Sequence, residues 1–282
     1  MEDYFQPKNS CTLLRSNPAS LQKQIDQFDA SLSTYDTISL GEMDGVALMH
    51  RVDTKFLINT EQLSELLLKA KDFYHVVQIQ GERLTPYKTI YFDTDNAEMY
   101  NMHHNGKLNR VKIRTRSYVN SGISFLEIKK KNNKGKTTKN RILIENRLFE
   151  SMIFKGNESE FVSSITPYLA SGLAPQLQNF FYRITLVDKC MTERVTIDFG
   201  IQFTKVSNGI CEDVDGLVVV EMKQDGVCCS HFRKFLYQMK VLPCSMSKYC
   251  LGMVLVNPEI KNNRFKNKIR KITKITNNHV KL

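Results

Sequence analysis

The chain has 282 residues, of which 41% are hydrophobic and 24% are charged, and its formal net charge is +11. This length allows one large domain or two small ones with a hydrophobic core. No apolar run approaches the about 18 residues that a membrane helix needs, and the polar first ten residues lead us to expect no signal peptide.

The cysteines indicate the redox compartment, and the positions of the basic residues show where the positive charge lies. Seven Cys form no C-x-x-C pair, which favours reduced thiols in a cytoplasmic protein over a disulfide framework or a zinc site. Residues 261–282 contain six Lys and two Arg without Asp or Glu, so this tail carries +8 of the net charge. The body is therefore near charge balance, and any basic site within it has to be local.

The first predicted elements are a mixture of helices and a strand. Apolar residues at helical spacing predict a helix over 21–32, and Ser39 with Glu42 resembles a capping box that opens a helix reaching about residue 50. Residues 51–58 change to a period of two, which is typical of a strand. Asn59 then predicts the N-cap of the next helix.

Two histidines follow the next pair of predicted strands. The strands are expected at 74–80 and 87–92, and a turn with a short helix at 93–103. The pair His103–His104 invites a metal interpretation, but neighbouring residues on a helix point about 100° apart and chelate poorly. We therefore expect these histidines to be solvated.

The rest of the body alternates between predicted strands and helices. Residues 110–118, 124–130 and 138–145 have the strand period with turns between them, which predicts an antiparallel meander. Helices are predicted at 147–155, 158–171 and 230–240, and strands at 179–186, 193–203 and 217–223. No change of composition divides this region, so a single domain is expected.

At least six of these strands pair an apolar face with a charged face. In the stretch Arg110–Arg116 all four cations project from one side, because strand side chains alternate. An ordinary antiparallel sheet with one wet side accounts for the pattern. A closed barrel of about eight strands, with a charged lumen and amphipathic helices outside, also covers the apolar faces.

We favour the barrel because its charged faces are rich in Arg, whose planar fork suits phosphate oxygens. Isolated carboxylates lie among the cations, as metal binding or cation positioning requires. A lumen lined by cations needs a polyanion, since like charges in a confined space repel. The chain has neither G-x-x-x-x-G-K-[ST] nor G-x-G-x-x-G, so phosphate would be held by side chains.

Several short charged motifs occur in a definite order along the chain. They are Arg51-x-Asp53-x-Lys55, Lys112-x-Arg114-x-Arg116, Glu127-x-Lys129, Arg183, Arg194-x-Thr196-x-Asp198, Glu221-x-Lys223 and Ser247-Lys248-Tyr249. In this order they resemble the VTC domain, the catalytic domain of the vacuolar transporter chaperone complex, which also has stand-alone bacterial relatives. The resemblance covers about residues 36–256. It leaves an N-terminal extension with a short helix at 1–35 and a basic tail at 257–282.

The resemblance implies a triphosphate tunnel metalloenzyme. Its expected fold is α+β, a closed antiparallel eight-stranded β-barrel with amphipathic helices packed outside. The implied function is that of a polyphosphate polymerase, which transfers the γ-phosphate of ATP to a growing polyphosphate chain and releases ADP, with Mn²⁺ or Mg²⁺ as cofactor. A tunnel-fold triphosphatase that uses water as acceptor, and a non-catalytic polyanion-binding module, remain the alternatives.

The resemblance also assigns roles to individual residues. The expected catalytic contacts to phosphate come from Lys55, Arg114, Arg116, Lys129, Arg183 and Lys248. Further phosphate contacts are expected from Arg51, Arg194, Lys223 and Ser247, and strand parity adds Lys112 and Arg141. Glu221 is the expected metal ligand.

Two departures from the family pattern stand out. The wider superfamily opens with Glu-x-Glu-x-Lys, where this chain has Arg51-x-Asp53-x-Lys55, and this favours the polymerase branch over the hydrolases. The family often has Tyr-x-Arg before the later strands, where this chain has Phe181 two residues before Arg183. Tyr182 would face the other side of the strand and would not replace the missing hydroxyl.

The expected partners are ATP and inorganic polyphosphate, with no specific nucleic acid. The membrane-spanning and SPX regions of the yeast-type complex are not recognised here, so membrane coupling would come from a partner protein. In the tail, Phe265, Ile269 and Ile272 would share one face of a helix. This predicts either a disordered cationic tail or a surface helix that meets an anionic membrane or guides polyphosphate.

Overall fold

The computed structural model describes residues 18–43, 51–226 and 229–276, which form a large, mainly antiparallel sheet with helices on both of its faces. The strands are β1 (Thr37–Ser39), β2 (Arg51–Asn59), β3 (Tyr74–Gln78), β4 (Thr85–Asp93), β5 (Arg110–Tyr118), β6 (Ile123–Lys131), β7 (Thr137–Ile144), β8 (Ala174–Asp188), β9 (Glu193–Lys205), β10 (Cys211–Asp213) and β11 (Leu217–Asp225). The helices are α1 (Pro18–Leu32), α2 (Leu40–Met43), α3 (Thr60–Ala70), α4 (Glu98–His104), α5 (Asn146–Ser151), α6 (Asn157–Ile165), α7 (His231–Gln238), α8 (Lys248–Val256) and α9 (Lys266–Thr276).

The main strands follow the hydrogen-bonded order β2-β11-β9-β8-β4-β5-β6-β7, and every neighbouring pair is antiparallel. Within the described ranges no ladder joins β2 to β7, so the sheet is open and the predicted closed barrel is not confirmed. Strand β7 has mostly exposed side chains and carries Lys139 and Arg141. Charges on an edge strand disfavour pairing with a further strand, which is a physical reason for the open edge.

Although open, the sheet is strongly curved. Glu221 on β11 raises the pKa of Lys129 on β6, although five strand-to-strand steps separate these strands. In a flat sheet this separation would be about 24 Å, so the two ends of the sheet curl towards each other. An irregularity between β8 and β9 adds to the curvature near Gly200, whose φ of +60° favours glycine.

Helices cover the convex face of the sheet. Helices α1, α3 and α7 pack over one half around Phe56 and Phe199, and α5 and α6 pack over the other half around Ile113 and Ile128. Helix α3 begins as predicted, because the Asn59 side chain accepts a hydrogen bond from a backbone N–H and completes a capping box. This arrangement leaves the charged faces of the strands on the concave side.

Helix α8 lies on the concave side and contacts β8, β9 and β10. It is buried around most of its circumference, and a Cβ added at Gly252 would lie 2.4 Å from the Phe203 side chain and 2.5 Å from that of Leu177. This helix was not predicted, because a helix that is apolar on every side has no amphipathic period.

The basic tail continues from this region as helix α9. Its Ile269 and Ile272 are buried in the same core as α8, and the helix contacts β2 and β11. Of the two alternatives predicted for the tail, residues 266–276 form the helix and are not disordered. The body of the protein occupies the apolar side of the helix, while basic residues such as Arg270 and Lys274 are exposed.

Other differences concern lengths and burial. The helix predicted over 158–171 ends at Ile165, and β8 starts at Ala174, earlier than predicted. Part of the helix expected after Ser39 falls on 44–50, outside the described residues. His104 is only 2% exposed, so the expectation of solvated histidines is wrong. The ring of His104 packs near that of Phe265, in the segment that leads into α9.

None of the helices in the described part of the chain is long and apolar enough to cross a membrane.

Candidate functional site

The register of the strands places the predicted site residues on one continuous face. Glu221 on β11 lies opposite Lys55 on β2 and opposite Thr196 on β9. At the other end of the sheet, Lys112 lies opposite Lys129 and Arg114 lies opposite Glu127 on β5 and β6. Directly opposed residues project to the same side of a sheet, so these cations and acids all reach the concave side.

Three acids on this face each contact two cations. Glu127 is fully buried; it accepts hydrogen bonds from Arg114 at 2.6 and 2.8 Å and also contacts Lys139. Burial opposes the ionisation of Glu127, but Arg114, Arg116 and Lys139 outweigh burial and lower its pKa below the usual range. The acid thus remains ionised and holds Arg114 in place.

Asp198 on β9 repeats this arrangement. Arg183 donates to its two carboxylate oxygens at 2.6 and 2.8 Å, and Lys248 contacts the second of these oxygens. Burial raises the pKa of Asp198, but the two cations lower it by more. Arg183 also lies over the ring of Tyr87, with 4.8 Å to the ring centroid. Its guanidinium is therefore fixed in position by both partners.

Glu221 is the third such acid and the predicted metal ligand. One of its oxygens contacts Lys55 and the other lies 3.1 Å from Lys223. These lysines lower the pKa of Glu221 well below its ordinary value against the effect of burial. Burial lowers the pKa of Lys223 to about 8, although Glu221 opposes this shift.

The cations Lys112, Arg116 and Lys129, near the centre of the same face, lack an ion pair with any acid in the described ranges. Burial and the neighbouring guanidinium of Arg114 lower the pKa of Lys129 to about 7 and that of Lys112 to about 8. Burial and Arg114 also lower the pKa of Arg116, which is 8% exposed. Burial and the charge of Arg114 thus destabilise the charged forms of all three, and a bound anion would offset both effects.

Helix α8 directs its N-terminus towards these cations. Ser247 is the N-cap residue, and its Oγ accepts hydrogen bonds from the Cys250 N–H at 3.3 Å and from Lys112 Nζ at 2.9 Å. Lys248 reaches Asp198 and lies 4.2 Å from the centroid of the Phe181 ring. The helix links the two halves of the charged face, because Lys112 lies on β5 and Asp198 on β9.

The structure does not bring every predicted phosphate ligand to this centre. Arg141 is exposed on edge strand β7, with its guanidinium 4.7 Å from the centroid of Phe125. Arg194 lies towards α2, where its Nη1 approaches the Met43 sulfur at 3.9 Å. The backbone of Arg51 pairs with Asp225, but its side chain lies outside the described residues.

Aromatic residues form a part of the site that the sequence analysis did not include. Phe181 stacks on Tyr87 with ring centroids 5.3 Å apart, and the charged groups of Arg183 and Lys248 lie over it. Tyr91 interacts with Arg114 and favours its charged form. Tyr182 packs on Phe199 of the convex core, as expected. The strand period of β4 could have indicated the two tyrosines, because Tyr87 and Tyr91 lie at every second position and share a face with the polar residue Thr89.

A metal ion would depend on the substrate for most of its ligands. No group of three or more His, Cys, Asp and Glu residues in the described ranges is arranged to hold a metal. Proteins commonly hold Mg²⁺ with one or two carboxylates plus substrate phosphates. Glu221, at the centre of the cationic face, could hold a metal in this way and would be the protein's ligand to a metal that arrives with a triphosphate.

The chain is similar to several solved structures at low identity. One is a candidate adenylate cyclase of Bacillus halodurans, with 15% identity, a TM-score of 0.48 and coverage of 71% of this chain and 96% of the other. A candidate adenylyl cyclase of Hippeastrum with a dominant triphosphatase activity has 12% identity, a TM-score of 0.43 and coverage of 75% and 100%. The PH1819 protein of Pyrococcus horikoshii has 12% identity, a TM-score of 0.41 and coverage of 72% and 98%.

No curated protein matches the chain. The family model of the VTC domain matches residues 50–257. This range holds every predicted site residue and all three acid-centred clusters described above. The chain therefore belongs to the VTC domain family.

Proposed function

We propose that this protein is a polyphosphate polymerase that transfers the γ-phosphate of ATP to the end of an inorganic polyphosphate chain and releases ADP. The family membership supports an enzyme that acts on triphosphates. The observation that carries the proposal is the set of Lys112, Arg116 and Lys129. These cations are buried or half-buried, burial and the charge of Arg114 destabilise their charged forms, and they have no ion pair within the described part of the chain.

Such a set fits a linear chain of phosphates better than a single anion. Lys112 and Arg116 lie four residues apart on β5, about 13 Å along a strand. Arg114 lies between them and is held by Glu127, so its remaining N–H groups are aimed by a fixed partner. Guanidinium groups bind phosphate oxygens through paired hydrogen bonds, and lysines add point charge.

The proposed mechanism is one of positioning and charge neutralisation. Phosphoryl transfer asks for little covalent chemistry from the protein when the attacking and leaving oxygens are aligned. The cations of the concave face would hold the triphosphate of ATP and the terminal phosphate of the acceptor chain in line. That terminal phosphate is already ionised and needs no general base, so we assign none.

We propose Mn²⁺ or Mg²⁺ as the cofactor and Glu221 as the residue that would hold it. When bound, the metal would offset the negative charge that develops on the departing ADP. Lys55 and Lys223 keep Glu221 ionised in its absence. Ser247 and Lys248, at the N-terminus of α8, would bind phosphate oxygens with the help of the helix dipole.

The reaction is tested by incubating the protein with ATP and Mn²⁺, Mg²⁺ or EDTA, and by resolving the products by chain length. We expect polyphosphate chains that grow with time, with one ADP released for each phosphate incorporated, and no product in EDTA. Free phosphate without chains would identify a triphosphatase instead. Binding of polyphosphate without ATP turnover in either metal would identify a binding module.

A further inference from the structure

The row of cations on β5 and β6 extends beyond the proposed active site. Arg110 lies opposite Lys131 in the register of the two strands, one rung beyond the Lys112–Lys129 pair. Side chains two residues apart on a strand share a face, so Arg110 continues the row formed by Lys112 and Arg114. From Arg116 to Arg110 the row spans about 20 Å.

Helix α9 adds a cation near the N-terminus of α8. Lys268 Nζ donates to Ser245 Oγ at 3.4 Å, and Lys268 lines a narrow cleft together with Ser247 and Phe265. Lys112 of the row donates to Ser247 as well, so Lys268 and the row meet at the N-terminus of α8. Helix α9 lies beyond residues 50–257, the part of the chain that the family model matches.

These outer cations act on one common neighbour. Besides burial, the charges of Lys112, Arg110, Lys268 and Lys131 lower the pKa of His103, to about 3. His103 is therefore uncharged near neutral pH, and the thiol of Cys250, 3.1 Å from its Nδ1, is also kept neutral by burial. The floor of this region thus supplies no negative charge. Arg110, Lys131 and Lys268 form no ion pair with an acid in the described ranges.

We propose that Arg110, Lys131 and Lys268 form an outer subsite that binds the distal phosphates of a polyphosphate chain whose end lies in the active site. The inference rests on the proposed function, because the proposed function puts the reacting end of the polyphosphate chain next to Lys112 and Lys129. A ligand of three phosphates held by the inner cations does not need the outer subsite. A longer chain crosses it and gains affinity from each further contact.

The test compares two ligands of different length. Binding of tripolyphosphate and of long-chain inorganic polyphosphate is measured for the full-length protein and for the triple variant Arg110→Ala, Lys131→Ala and Lys268→Ala. The matched control carries Arg110→Ala, Lys131→Ala and Arg270→Ala, with Lys268 kept. Arg270 is exposed and points about 200° away from Lys268 around the same helix. A truncation would be a poor test, since it would uncover the core around Ile269 and Ile272.

We expect the triple variant to bind long polyphosphate at least about tenfold more weakly and to bind tripolyphosphate within twofold of the wild type. The control should bind the long chain more tightly than the triple variant does. The affinity of the wild type for the long chain should fall more steeply with salt than that of the triple variant, because salt screens exposed charges. Equal losses for both ligands, or no loss for the long chain, would overturn the subsite. These binding results are independent of ATP turnover, so failure of the polymerase assay alone would leave them standing.

Discussion

Arg114 and Arg116 face the same side of β5, but their surroundings differ. Arg114 is paired with buried Glu127, whereas Arg116 has no ion pair in the described part of the chain; it donates to the Thr89 hydroxyl at 3.3 Å and lies over the ring of Tyr87. Removing Arg114 would take the hydrogen-bonded partner from the buried carboxylate of Glu127 and leave it with the charges of Arg116 and Lys139. Removing Arg116 would relieve a repulsion that the ligand-free protein bears.

We therefore predict opposite effects on stability from two similar substitutions. Arg116→Gln should keep or raise the melting temperature of the ligand-free protein and weaken tripolyphosphate binding about 10- to 100-fold, since hydrogen bonds to charged groups contribute about 1.5–3 kcal/mol. Arg114→Gln should lower the melting temperature. Thermal melts and titrations of both variants check this. A clear loss of stability in Arg116→Gln would contradict the view that its charge awaits an anion.

Glu221 provides a second prediction at this scale. Glu221→Gln should abolish metal-dependent ATP turnover while the affinity for metal-free tripolyphosphate is kept or increased, because a negative charge beside Lys55 and Lys223 is removed. Its melting temperature should fall at low salt and recover with added phosphate. Asp36→Asn is a suitable control, since its exposed pair with Lys189 lies outside the site. Normal turnover with unchanged Mn²⁺ dependence would rule out the assigned role.

The lysines of the face also predict a pH dependence. Their pKa values in the folded protein are lowered, to about 7 for Lys129 and about 8 for Lys112, Lys223 and Lys248, from 10.5. The unfolded chain therefore binds more protons above pH 7, and the contribution of these groups to ligand-free stability should rise with pH up to about 10. Affinity for phosphate should fall over the same range.

Calorimetric titration of tripolyphosphate in two buffers of different ionisation enthalpy measures the linked protons. At pH 8 we expect binding to take up about two protons, which come from restoring charge to these lysines. Uptake should fall towards zero at pH 6, where they are already protonated. Proton release, or no uptake at pH 8, would show that the ligand does not bind against these lysines.

The strand period determines which part of this site could be predicted from the sequence. Alternation correctly placed Arg114, Lys129 and Glu221 on charged faces, since side-chain direction is local. It could not show that Glu127 contacts Arg114 and Lys139 directly, whereas Arg116 forms no ion pair with an acid in the described ranges. That difference depends on cross-strand register, which the period of a single strand does not encode.

Helix α8 is the element that organises the concave side. Its apolar residues pack against the concave face of the sheet, and Ser247 and Lys248 at its N-terminal end contact Lys112 and Asp198. The sequence showed Ser247-Lys248-Tyr249 as a motif but gave no sign of the helix that follows. Buried helices and buried strands have similar apolar runs, and only tertiary packing distinguishes them.

The contact of α8 with the sheet can be tested at Gly252. Gly252→Ala should destabilise the protein by about 1–3 kcal/mol, the usual effect of overpacking, because the added Cβ meets Phe203 and Leu177. Gly41→Ala is the control, since nothing lies within 4 Å of a Cβ there and alanine favours the helix. Chemical unfolding measures both. Equal stability of the two variants would show that α8 does not approach the sheet this closely.

At the scale of the whole molecule, the chain folds into an open, strongly curved sheet with its apolar faces outside under helices and its charged faces inside. The inside-out distribution was predictable, because amphipathic helices need an apolar sheet face to cover. Closure was not, since it depends on whether β2 and β7 pair, and the charges of Lys139 and Arg141 give β7 an edge that resists pairing.

Binding of a linear phosphate chain on the concave face can be observed in a crystal structure of the protein with tripolyphosphate. We expect three phosphates along the row of β5 cations, in contact with Arg116 and Lys129 and near the N-terminus of α8. Phosphates bound only on the outer surface, with Arg116 and Lys129 left without an anion, would contradict it.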